Sequence, residues 1–195
     1  MIEERDLVQN MQNGDAAAFR ELVTRYQRNI YYLALDLTSN HHDAEDLSQE
    51  VFIKAYQNIT NFRGDAKLSS WLYRITVNTH INKARRKSFK ARKLDESIHT
   101  LPPSRTPRMD VGTTADPEQL AASALINTHI QQALQQLTAK ERSIFVLRHY
   151  KDLPLKEIAD IHQIKVGTVK SLLFRTIQKL QKSLAFYRED FGWES

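Results

Sequence analysis

The chain has no cysteine. Disulfides, thiolate zinc sites and thiol redox sensing are therefore excluded. Proline and glycine are scarce, five of each, and three of the prolines, Pro102, Pro103 and Pro107, fall in one short segment. No apolar run approaches the roughly 20 residues that span a bilayer. The opening Met1-Ile2-Glu3-Glu4 has none of the charge-then-apolar order of a signal peptide. The expectation is a cytoplasmic protein with no membrane insertion. Period-2 strand patterns are also missing. The apolar run from Ile144 to Leu147 is short and has helical signals on both sides.

What is present is helical periodicity and uneven charge. With 195 residues, 41% of them hydrophobic and 26% charged, the chain can form one domain or two small ones. The net charge of +5 favours a polyanionic partner without proving one. Gly14-Asp15 reads as a stop followed by an N-cap. After it Phe19, Leu22, Val23, Tyr26, Ile30, Leu33 and Leu37 recur at three- and four-residue spacing, which predicts one long amphipathic helix. A second helix is predicted from about Asn40, with Leu47, Val51 and Ala55 inward. A third starts near Ser69 or Ser70, with Leu68, Trp71, Leu72 and Ile75 inward.

Between about Leu94 and Asp116 the periodicity stops, and the segment reads as a linker able to hold two domains apart. Asp116-Pro117 restarts helix, and Thr138-Ala139-Lys140-Glu141 is a capping box. Residues 155–181 read as a helix-turn-helix. Leu155 to His162 form a short helix with Ile158 and Ile161 inward, and Gln163 to Lys165 form the turn. The second helix has Val166, Val169, Leu173, Ile177 and Leu180 on its expected buried side. Its other side offers Thr168, Lys170, Ser171, Phe174, Arg175 and Gln178, a face suited to the major groove. Five Lys or Arg and no acid lie between Lys165 and Lys182, so phosphates meet no repulsion there. A helical hairpin with a solvated basic face is the plainer alternative. Packing against Phe186 or Tyr187 is the plainer role for Phe174.

The segment from Asp43 to Asn78, DAEDLSQEVFIKAYQNITNFRGDAKLSSWLYRITVN, joins two kinds of surface. Asp43, Asp46 and Glu50 fall on one helix face, with Gln49 beside them. Such a stripe fits a basic protein surface. A solvated face, or a metal site from His41, His42, Asp46 and Glu50, are the other readings. The loop that follows holds Phe62, Arg63 and Gly64. Phe62 and Asn78 are candidates for a pocket that stacks and hydrogen-bonds an unpaired base, whereas Trp71 reads as core. KARRKSFKARK, residues 83–93, has seven basic and no acidic residues. Its Lys83, Arg85, Arg86 and Lys87 read as a phosphate-tracking strip. A basic localisation signal or tail is the alternative.

Three motifs, DLSQEVFIKAY, NFRGDAKLSSWLYRITVN and VGTVKSLLFRTIQKL, stand in this order and at fitting separations. With them the chain resembles bacterial sigma factors of the extracytoplasmic-function (ECF) group. The resemblance implies an all-α fold of two small domains joined by a flexible linker. Sigma region 2, a helical bundle, falls on residues 1–93 and sigma region 4, the helix-turn-helix, on 117–186. The linker is 94–116, and 187–195 form a tail with no family role. It implies that Asp46, Gln49 and Glu50 bind the β′ clamp helices of RNA polymerase core. Phe62, Arg63, Asn78, Lys83, Arg85, Arg86 and Lys87 would serve the −10 element. Thr168, Lys170, Ser171, Phe174, Arg175 and Gln178 would serve the −35 element. The implied partners are the core enzyme, including its β flap, promoter DNA and an anti-sigma factor that is often membrane-anchored. The chain would act as a monomer, with no cofactor, no metal and no catalysis of its own. A regulator that binds an operator independently of polymerase is the competing reading.

Four positions depart from the family pattern. Gln163 stands where Gly is frequent, Lys165 where Pro is, Pro154 where a Ser cap is, and Leu172 where Arg is. A left-handed Gln163 would carry strain on the order of 1 kcal/mol. Leu172 removes one expected phosphate contact.

Overall fold

The computed structural model describes residues 3–94, 117–185 and 187, with side chains from 3–90, 125–185 and 187. Eight α-helices and no strand occur among the described residues. They are α1 (Glu4–Gln12), α2 (Ala16–Thr38), α3 (His41–Asn58), α4 (Leu68–Leu94), α5 (Pro117–Gln135), α6 (Ala139–His149), α7 (Leu155–His162) and α8 (Val166–Ser183). A 3-10 turn, Ile59–Asn61, follows α3. Past Leu94 the expected linker lies outside the described residues, as does most of the expected tail.

Short polar side chains set most of the boundaries. Gly14, at φ 85°, ends α1. Asp15 then caps α2, its carboxylate accepting the Ala17 N–H at 2.7 Å. Helix α2 stops at Ser39, in the left-handed region at φ 54°. Asn40 restarts the chain by accepting the Asp43 N–H at 3.0 Å. Thr138 and Glu141 make the expected capping box on α6. The start of α4 has a remote cap: the Leu68 N–H donates to the Glu4 carboxylate at 2.8 Å. Helix α1, which periodicity does not announce, thus holds the first turn of α4. Gln12 also ties down the following loop, donating to the carbonyls of Ile59 at 3.1 Å and Phe62 at 2.8 Å.

Two apolar clusters organise the packing. The first joins Leu7, Leu22, Ile30, Leu47, Val51, Leu68 and Leu72 from α1 to α4. The second joins Ile144, Leu147, Ile158, Ile161, Val169 and Leu173 from α6, α7 and α8. Leu33 and Leu37 of α2 and Val77 of α4 belong to this second cluster. The C-terminal helices therefore dock on the N-terminal bundle. The buried stripe of α8 differs from the expected one. It runs through Val169, Leu173 and Thr176 at i, i+4 and i+7. Ile177 lies one position around the helix and is exposed.

The turn of the helix-turn-helix is a left-handed Gln163, at φ 54° and ψ 46°. Its backbone closes α7, with the Gln163 N–H donating to Asp160 O at 3.3 Å and the Ile164 N–H to Ala159 O at 3.0 Å. Gln163→Gly is expected to stabilise the protein by about 1 kcal/mol, read as a rise in the urea midpoint at constant slope.

Two half-buried histidines are held in the uncharged form. Burial, with Arg142 nearby, lowers His80 to about 4 despite Asp43. Burial, with Lys140 nearby, lowers His162 to about 4. The folded pKa values lie below the unfolded one, so the unfolded chain binds protons first. The stability they contribute is present above pH 6.5 and is lost as pH falls toward 4. Denaturation at pH 7 and pH 5 is expected to differ by on the order of 1–2 kcal/mol per histidine, the acid sample being weaker.

Candidate nucleic-acid interface

Helix α8 points a continuous polar face to solvent. Burying Val169, Leu173 and Thr176 leaves Thr168, Lys170, Ser171, Phe174, Arg175 and Gln178 exposed together. Phe174 is 63% exposed. The Tyr187 hydroxyl meets His129 Nδ1 at 2.7 Å. Phe186 lies outside the described residues. The backbone of Ser171 accepts a long 3.4 Å bond from Arg175 Nε. Such a bond is easily exchanged for a base edge. Lys179, at the edge of this face, pairs with Glu141 at 2.6 Å and fastens α8 to α6. These hydrogen bonds outweigh burial and hold the Glu141 carboxyl below its ordinary value.

The acidic face of α3 divides in two. Asp46 and Gln49 are exposed, and Asp46 has His42 Nε2 at 4.0 Å. Glu50 instead pairs with Lys54 at 2.7 Å and with Lys83 of α4 at 2.9 Å. Burial alone would raise the Glu50 carboxyl, but the two lysines outweigh it and hold it low. Lys54 also donates to Thr79 at 3.1 Å. The Glu50–Lys54 spacing is visible in the chain as an i, i+4 pair, whereas the link to Lys83 is not. Ile53 and Tyr56, both 58% exposed, continue this surface toward the end of α3. His41 is drawn aside by the Tyr31 hydroxyl at 2.7 Å. No three metal-ligating side chains converge among the described residues.

The two candidate base-pocket residues are placed differently. Asn78 is exposed on α4, between buried Val77 and Thr79. Phe62 is buried, its ring 5.1 Å from that of half-buried Trp71. Arg63 beside it is exposed. Beyond Asn78 the last turns of α4 carry Lys83, Arg85, Arg86, Lys87 and Lys90 around an exposed Phe89. Asn78 and this basic strip thus share one helix.

Comparison with known proteins decides what these surfaces belong to. The Sigma-70 region 2 family matches residues 22–90, and the Sigma-70 region 4 family matches residues 129–180. The ECF RNA polymerase sigma factor SigW of Bacillus subtilis is 36% identical over 184 residues, covering 94% of this chain and 97% of its own. The chain belongs to the ECF group of sigma factors. The RNA polymerase sigma-H factor of Pseudomonas aeruginosa is 34% identical over 184 residues, covering 93% and 94% of the two chains. Among solved structures, the sigma factor RpoE of Bartonella quintana, in complex with the anti-sigma factor NepR, shares the fold. Its TM-score is 0.64 at 22% identity, over 86% of this chain and 96% of that one. CnrH, in complex with the cytosolic domain of CnrY, shares it with a TM-score of 0.62 at 21% identity, over 93% and 97%. The exposed face of α8 thus lies within sigma region 4. The α3 stripe and the basic end of α4 lie within sigma region 2, with the matches in the order the motifs predict.

Proposed function

We propose that this sigma factor directs RNA polymerase core to its promoters by dividing three tasks among α3, α4 and α8. The observation that carries this reading is the joint presence of both sigma regions with their polar faces turned outward. An operator-binding regulator would leave the α3 face unused. Region 2 occupies residues 1–93, region 4 residues 117–186, with the linker between them. The protein acts in the cytoplasm as a monomer. No helix among the described residues is long and apolar enough to cross a membrane.

Asp46, Gln49 and Glu50 dock on the β′ clamp helices, while region 4 meets the β flap. A basic partner surface at Glu50 competes with Lys54 and Lys83 for one carboxylate. Docking there frees Lys83 for the DNA backbone. Asn78 then hydrogen-bonds a non-template base of the −10 element, and Arg63, Lys83, Arg85, Arg86 and Lys87 follow its phosphates. Phe62 takes part in stacking only if the 62–67 loop moves from it, since its ring is covered in this state. Unstacking a base costs a few kcal/mol. Stacking on an aromatic returns roughly 1–3 kcal/mol. Strand opening therefore needs no covalent step: the protein binds the open strand better than the duplex. Thr168, Lys170, Ser171, Phe174, Arg175 and Gln178 read the −35 element. An anti-sigma factor, membrane-anchored in many of the family, holds the protein inactive until a signal arrives.

The direct test is reconstitution. Purified protein added to core polymerase is expected to start transcripts at a small set of genomic sites; starts no more selective than core alone refute the reading. Charge reversal at Asp46 and Glu50 is expected to abolish core binding in a pull-down while leaving the helical circular dichroism unchanged. Arg175→Ala or Lys170→Ala is expected to cost about 1–3 kcal/mol of promoter affinity where the side chain meets a base. Footprinting on promoters varied at the −35 element checks the accompanying loss of sequence preference.

A further inference from the structure

Helix α5 carries an apolar stripe that outruns its neighbour. Ile126, Ile130, Ala133 and Leu137 recur at four- and three-residue spacing. At the C-terminal end of the stripe Ala133 and Leu137 are buried, with Leu134 beside them. Helix α5 packs against α8, whose last residue Ser183 donates to Gln136 at 2.8 Å. The chain then turns, the Tyr187 N–H donating to Leu184 O at 3.1 Å. The turn sets the Tyr187 ring 5.7 Å from that of His129, about two turns further back along α5. The N-terminal end of the stripe is open. Leu125 and Ile126, four and three residues before His129, are 60% and 37% exposed. They adjoin a contact that the C-terminal end of the same chain has already made.

We propose that residues 188–195 continue this contact and seat Phe191 and Trp193 on Leu125 and Ile126, so that region 4 binds its own C-terminal segment. Two contacts already made set the direction. Between Ser183 and Tyr187 the chain moves from Gln136 to His129, about 10 Å of helix at 1.5 Å per residue. From His129 to Leu125 is about 6 Å more. The four residues after Tyr187 reach roughly 13 Å when extended, which brings Phe191 to Leu125 with slack. The segment reads REDFGWES. In an extended chain Phe191 and Trp193 share one side, and Arg188, Asp190 and Glu194 the other. One side is thus apolar enough to meet α5 while the other keeps its charges in water. Two aromatic side chains that bury roughly 150–250 Å² each are large enough to cover Leu125 and Ile126. The exposed polar face of α8 takes no part in the seat.

The chain has two tryptophans, so Trp71→Phe leaves Trp193 as the reporter in the full-length protein. Trp193 is expected to emit at shorter wavelength than tryptophan in water and to be quenched by acrylamide about threefold less, because a seated indole is largely removed from water. Adding Leu125→Ser with Ile126→Ser is expected to return both readings to those of tryptophan in water while the helical circular dichroism is kept. Solvent-like emission before that change overturns the proposal, and so does protection that survives it. The absence of native cysteine allows a second test that leaves Ile126, Phe191 and Trp193 in place. Leu125→Cys with Gly192→Cys is expected to form an intramolecular disulfide, seen as a faster monomer band on a non-reducing gel. Predominantly intermolecular disulfides assign the open end of α5 to a second copy of the chain and overturn the proposal.

Discussion

Helix α4 is packed on two sides, and the arrangement of both sigma regions depends on that double burial. Leu68 and Leu72 face the first cluster, while Val77, with Tyr73 and Ile81 beside it, faces the second. A helix with two apolar stripes must leave its polar residues in the narrow sectors between them. Asn78 falls in such a sector, flanked by buried Val77 and Thr79. Its position is therefore fixed by packing rather than by a polar network. Past Ile81 the apolar stripes end, and the helix continues as the basic strip from Lys83. The same helix thus sets the register between Asn78 and the cations that begin at Lys83.

Charge is sorted along this scaffold by sign. Acidic side chains line the outer face of α3 and cations the end of α4 and α8, and α3 meets the basic end of α4 where Glu50 pairs with Lys83. Half-exposed ion pairs of this kind are worth at most about 1 kcal/mol each. They are weak enough for a partner to replace. Glu141 with Lys179 is the contrast, since its carboxylate is buried and also closes the capping box. Glu50 is held loosely and Glu141 firmly, and the difference lies in burial rather than in residue type.

The helices were legible in the sequence wherever a local signal set them. Asp15, Asn40 and Thr138 cap the helices that their residue types predict, and the 155–162 and 166–183 helices fall where the periodicity places them. Gln163 adopts the left-handed turn that its place in the motif demands. What local pattern could not show is contact between distant segments. The cap from Glu4 to Leu68 spans 64 residues and the bond from Arg142 to Asp36 spans 106. Phe62 sits in a loop, which argued for exposure, yet Gln12 pulls that loop onto the core and its ring is covered. Ile177 carries an apolar side chain at helical spacing but misses the stripe by one position.

Arg142 and Asp36 also show why two regions that read as independent bodies are found together. A covalent connection raises the effective concentration of one region at the other, so even a modest contact forms. Here the contact joins a carbonyl at a helix end to a cation with almost no exposure. Either group left alone in that position would be buried without a partner, which is more costly than the pair is favourable. Closure is therefore close to all-or-none: a partial opening that separates Arg142 from α2 without admitting water gains nothing.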